Sequence, residues 1–163
     1  MKTLLRTLLF LALIVWLGAE IFFPIVAATT FETLRPNTHL AGTIAGGLLR
    51  ILHGMGLGAG FVALVVLAAA PAMGGYRGRS VLVPMVLLAG MAGLTVYSQF
   101  AVIPAMERDR IAAGGVIDAL DAANPIRLDF EKLHKRSESV EGAILLLGLA
   151  TVVLVARAET KRA

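Results

Sequence analysis

Four side chains able to accept, donate or orient a proton stand inside otherwise apolar stretches. They are Glu20 in "WLGAEIFFPIVAA", His53 in "RILHGMG", Gln99 in "YSQFAVIP" and Glu141 in "SVEGAILLL". A carboxyl group binds a proton or a cation, and an imidazole changes charge near neutral pH. A carboxamide holds either group in one orientation. With Tyr97 and His134, these residues are the expected lining of a polar pocket for a small ligand, an ion or a proton. An ionised carboxylate facing lipid is costly, so such groups turn inward, find a partner or stay protonated. The expected partners of Glu20 are His53, Gln99, Tyr97 and Arg50. The plainer readings are helix-packing glue for Glu20 and a favourable helix N-terminal charge for Glu141.

The histidines carry a second kind of chemistry. His53 and His134 occupy matching places in the two halves of the chain, which is the arrangement of a bis-imidazole haem. A metal site would add Met55 and Glu141. His39 shares the face of His53 if their helix is continuous. An interfacial histidine is more commonly a cap or a hydrogen-bonding residue, so no cofactor is expected.

Other chemistry is excluded more firmly. The chain has no Cys, which removes disulfides and thiolates. "HGMGLGAG" lacks the Lys-Ser/Thr ending of a phosphate loop and follows no strand. No Ser/His/Asp arrangement or zinc-protease motif is visible, so no enzyme is expected. The net charge is +4, but the bases are spread over helix flanks, as membrane topology requires. There is no aromatic-basic surface, and nucleic acid is not an expected partner.

The elements that position these residues are membrane helices. Hydrophobic residues make up 58% of the 163 and charged residues 16%, against about 45–50% and about 25% in soluble domains. One transmembrane domain, 1–163, is expected, with helices over 8–28, 51–73, 81–105 and 140–156. The segment 106–139 is charged and reads as loop and interfacial amphipathic helix, with "GG" and "NP" as breaks. "TLRPNTH" breaks the first connection, and "GGYRGR" is a tight second one. "MKTLLR" and "LGA" resemble a secretory signal, but the apolar run continues through "IFFPIVAA", so a retained membrane helix is expected.

By helix rise, Glu20 stands roughly 18 Å above Leu8, Gln99 roughly 27 Å above Val81 and Glu141 roughly 24 Å above Arg157. His53 stands roughly 30 Å from Met73 by the same measure. The embedded polar groups therefore form one tier in the outer half. Lys2, Arg6, Arg77, Arg79, Arg157, Lys161 and Arg162 share the other side. That distribution predicts an inner-membrane protein with both termini in the cytoplasm.

The two halves also resemble each other. Glu20 leads to Pro24 and then His53, and Gln99 leads to Pro104 and then His134, at nearly equal spacings. The expected fold is an all-α, integral membrane four-helix bundle of two helical hairpins, a parallel internal repeat. Gly42 with Gly46, Gly54 with Gly58, and Gly56 with Gly60 have the small-xxx-small spacing of close helix packing.

Four stretches carry a family resemblance: "WLGAEIFFPIVAATTF", "AGTIAGGLLRILH", "FAVIPAMERDR" and "FEKLHKRSESVEG". They resemble the transmembrane protein 205-like membrane proteins, a domain of unknown function. The resemblance runs from about Trp16 to Leu154. It implies four membrane helices and no particular reaction.

The leading reading is a multi-pass membrane protein that binds or conducts a small ligand, ion or proton. The first alternative is a scaffold or small subunit, acting as a homo-oligomer or with another membrane protein. The second is a haem- or metal-binding redox protein.

Overall fold

A computed structural model of the chain describes residues 2–73 and 78–160. The elements are α1 (Lys2–Thr33), α2 (Thr38–Ala69), α3 (Gly78–Tyr97), a π-helical turn (Ser98–Val102), α4 (Ile103–Ala112), a 3-10 turn (Ile117–Ala119) and α5 (Pro125–Thr160). Four stretches are long and apolar enough to cross a membrane: Lys2–Thr33, Thr38–Ala69, Ser80–Ala112 and Pro125–Ala158. The protein is thus an all-α, multi-pass bundle. α1 packs chiefly on α2 and α3 on α5, while contacts of α2 with α3 and of α1 with α5 close the ring. Residues 74–77 of the expected tight connection lie outside the described residues, as do Lys161 and Arg162 of the expected basic flank.

The outward faces are apolar. Ile14, Phe22, Ile25, Phe61, Val86, Phe100 and Leu146 are all exposed. Such a surface matches acyl chains, which are as apolar as the side chains themselves. Inside, Leu9, Leu13, Trp16, Leu67, Leu88, Met91, Ile144 and Val155 form the core of the half nearer the start of α1. Trp16 sets the register of the first hairpin. A Cβ on Gly56 would stand 2.6 Å from the indole Nε1, and one on Gly60 would overlap the same ring. With Trp16 opposite Gly56 and Gly60, the next turn of α1 puts Glu20 opposite His53.

Every expected span is bounded differently, α1 for example running from Lys2 to Thr33, and three of the differences bear on the site. α2 begins at Thr38 rather than at 51. Asn37 caps it, its side-chain oxygen accepting from the Leu40 N–H at 3.0 Å. Ala41, Ala45, Leu49 and His53 then continue one buried stripe. The third helix, after its π turn, runs on to Ala112 rather than ending at 105. There "ERDR" is helical, and Arg110 Nη1 donates to Glu107 at 2.9 Å, three residues apart.

The largest difference is in 106–139, where no separate interfacial helix lies between the third and fourth spans. α5 is continuous from Pro125. "NP" starts it instead of breaking it: Asn124 Oδ1 accepts from the Ile126 N–H at 2.9 Å. Pro125 sits at the first helical position, where a missing N–H costs no bond. Its charged side chains form i,i+4 pairs, Arg127 with Glu131 and, on the cavity side, His134 with Glu138. Ser137, Val140, Ile144, Thr151 and Val155 form its buried stripe. The real break is "GG": Gly114 at φ 68° and Gly115 at φ 97° adopt the left-handed region that glycine tolerates.

Candidate functional site

The polar tier is built around a defect in the third helix. Pro104 supplies no N–H to the turn before it. The helix widens there, and the Ile103 N–H reaches back to the Ser98 carbonyl, five residues away. Consecutive residues on an α-helix point about 100° apart, yet here Ser98 and Gln99 both meet interior partners. Ser98 Oγ donates to Glu141 Oε1 at 2.9 Å. Gln99 Oε1 lies 3.0 Å from His53 Nδ1, and Glu141 Oε1 lies 3.0 Å from His53 Nε2. His53 is fully buried and so ties α2 to α5 and to the π turn. Both ring nitrogens face oxygens, which fits a doubly protonated ring. Turning the Gln99 amide over presents an N–H instead and suits a neutral ring. The heavy-atom frame accommodates either state.

Two oxygens of this tier are left over. Glu20 is only 4% exposed. Among the described residues, neither its Oε1 nor Glu141 Oε2 has a hydrogen-bond partner. Both residues line a cavity of about 780 Å³. Phe23 and Phe31 of α1, Leu49 and Arg50 of α2, Ile103 of α4 and Leu145 of α5 give its walls. The roof is fastened at several points. Thr38 Oγ1 donates to Asp118 Oδ2 at 2.6 Å. Gly115 lies against His39, and the Arg110 guanidinium sits 5.8 Å over the Phe130 ring. On the other side of the tier the apolar core around Trp16 fills the bundle. The cavity therefore belongs to the end remote from the start of α1.

His53, Ser98, Gln99 and Glu141 are thus joined by hydrogen bonds, and Glu20 and Glu141, but not His53 or Gln99, line the cavity. Tyr97 belongs to neither group: it is exposed, and its hydroxyl accepts from Arg136 Nη1 at 3.4 Å. Its neighbour Ser98 takes the inward place. Sequence reasoning left Ser98 out of the pocket, although Pro104 marks the turn that rotates it inward. Glu141 lies deep within α5, so its charge does not serve a helix N-terminus. Arg50 lines the cavity but pairs with neither carboxyl group.

His134 lines the upper cavity, two turns and roughly 10 Å along α5 from Glu141. Its Nε2 is 3.3 Å from Glu138, and its ring stacks on Phe130 with centroids 6.3 Å apart. It does not face His53, whose nitrogens are both engaged. His39 stands in the roof and Met55 on the outer surface. Among the described residues no three His, Asp or Glu side chains are grouped as metal ligands.

A family model described as a domain of unknown function, DUF4149, matches residues 11–111. The chain belongs to the DUF4149 family. The DUF4149 match runs from α1 almost to the end of α4, and so takes in Glu20, His53, Ser98 and Gln99. Glu141 and His134, on α5, lie beyond it. No curated protein and no solved structure matches the chain.

Proposed function

We propose that the protein binds a small, largely apolar ligand in the cavity at the end of the bundle remote from the start of α1. The observation that carries this reading is Glu20: a buried carboxyl with an unpartnered oxygen at the floor of a cavity of about 780 Å³. Ligand sites of about 300–1,000 Å³ with apolar walls and a few convergent polar groups are the common pattern. Binding fits better than conduction, because the core around Trp16 closes the bundle beyond the floor. The four stretches that resemble transmembrane protein 205-like proteins each contribute to the cavity wall, through Phe23, Leu49, Ile103 and Phe130 among others.

The proposal includes an inner-membrane location, with the start of α1 and the end of α5 in the cytoplasm. It also treats the two hairpins as copies of one unit. Support comes from Gln99 and Glu20, which reach the tier of His53 and are each followed by a proline. His134, two turns from that level, is the part that does not correspond.

The direct test fills the space. Gly46 lines the cavity, and a Cβ there meets nothing within 4 Å. Purified protein in maltoside micelles should bind the neutral dye N-phenyl-1-naphthylamine saturably, and Gly46→Trp should weaken binding at least tenfold. Equal binding by both proteins would overturn the reading.

A second reading, as a scaffold or small subunit, rests on Gly54 and Gly58. They lie on the exposed face of α2 with nothing near their Cβ positions, and their spacing lets a partner helix approach. Mild-detergent purification tests it, and recovery of a lone monomer counts against it.

A further inference from the structure

We propose that the cavity floor binds an organic cation, an ammonium group on an apolar body, with Glu20 and Glu141 as its carboxylate contacts. This deepens the cavity reading above and rests on it. Glu141 Oε1 is already occupied by Ser98 and His53. Its Oε2 and Glu20 Oε1 are buried acceptors with no donor among the described residues. Buried acceptors of this kind ordinarily have a partner. His53 meets Gln99 and Glu141 and makes no hydrogen bond to Glu20, so with both carboxylates ionised and His53 doubly protonated one negative charge remains. Arg50 forms no ion pair with either of them, and Arg110 is engaged with Glu107.

The surroundings select the kind of cation. Phe23 lies on the same side of α1 as Glu20, less than one turn away, and Phe31 is farther up the same wall. Aromatic faces attract alkylammonium groups. Leu49, Ile103 and Leu145 suit an alkyl chain, and among the described residues no three His, Asp or Glu side chains are grouped to hold a metal ion. An anionic amphiphile would leave both acceptors unpaired, at the cost of their desolvation, and a neutral alcohol has one uncharged O–H donor where an ammonium has several charged ones.

The test uses the full chain in maltoside micelles, titrated with octylammonium, octanol and octyl sulfate. Trp16 is the chain's one Trp and stands one turn before Glu20 in α1, so its emission reports the floor. Octylammonium should bind with a Kd at least tenfold below that of octanol, and octyl sulfate more weakly than either. Glu20→Gln and Glu141→Gln should each cut the preference for the cation at least fivefold and leave octanol binding unchanged. Should Glu20→Gln fail to fold, Glu20→Asp keeps the charge one methylene short and should give an intermediate preference. Octylammonium binding no tighter than octanol, a preference that survives loss of Glu20, or an emission change with protons alone would each overturn the proposal. In those cases continued octanol binding leaves the cavity reading standing, whereas failure of every probe removes both.

Discussion

At the scale of single residues, two buried carboxyl groups have opposite energetic roles. Glu141 is held by Ser98 and His53, and His53 is held in turn by Gln99. Removing one partner of a buried hydrogen-bonded pair leaves the other unsatisfied, at a cost of about 1–3 kcal/mol and more where it is charged. His53→Leu should therefore lower thermal stability by that order, as read from the unfolding midpoint in maltoside. Glu20 has an orphan oxygen, so Glu20→Leu removes a desolvated group along with little bonding. Its stability should match or exceed that of the parent while cation binding is lost. A Glu20→Leu protein as destabilised as His53→Leu would show that the carboxyl is structural glue. That His53, Gln99 and Glu141 would find one another was readable from the sequence, because polar groups in apolar helices need partners. Tyr97 against Ser98 was not readable, since one added residue in a helical turn changes which neighbour faces inward.

At the scale of elements, glycine decides how the helices meet. Gly56 and Gly60 form the slot for the Trp16 indole, whereas Gly54 and Gly58 face away from the bundle. Overpacking a well-filled interior costs roughly 1–3 kcal/mol, so Gly56→Ala and Gly60→Ala should each destabilise by that order. Gly54→Ala, with open space at its Cβ, should instead raise the monomer's stability by up to about 1 kcal/mol through helix propensity. Denaturation curves of the three variants check this, and equal effects at all sites would disprove the assigned register. The same spacing was visible in the sequence for both pairs, but the sequence does not say which pair faces a neighbour. Helix ends were the least legible feature. The charged run after Asn124 reads as a surface segment, yet Ser137, Val140 and Ile144 run through it as a buried stripe. Hydropathy averaged over such a stretch hides a continuous buried stripe.

At the scale of the molecule, four spans put the start of α1 and the cavity at opposite ends of the bundle. The absence of Cys makes this testable without a background. Ala122→Cys, in the exposed stretch before α5, should react with a membrane-impermeant maleimide in intact cells. Thr3→Cys should react only after the membrane is opened. The reverse pattern would invert the orientation and turn the cavity toward the cytoplasm.

Composition and the placement of apolar blocks were enough to determine a four-span helical membrane protein with a few polar groups at a common depth. Those outcomes depend on the bilayer, which imposes helix length and penalises unpaired polar groups wherever the helices happen to lie. The tertiary structure alone decided that His53 meets Glu141 rather than His134, and that Glu20 keeps a free oxygen over a cavity. Such pairings depend on helix rotation and axial register, which follow from contacts between segments distant in the chain: an indole in a glycine slot, and a helix widened by one residue at a proline.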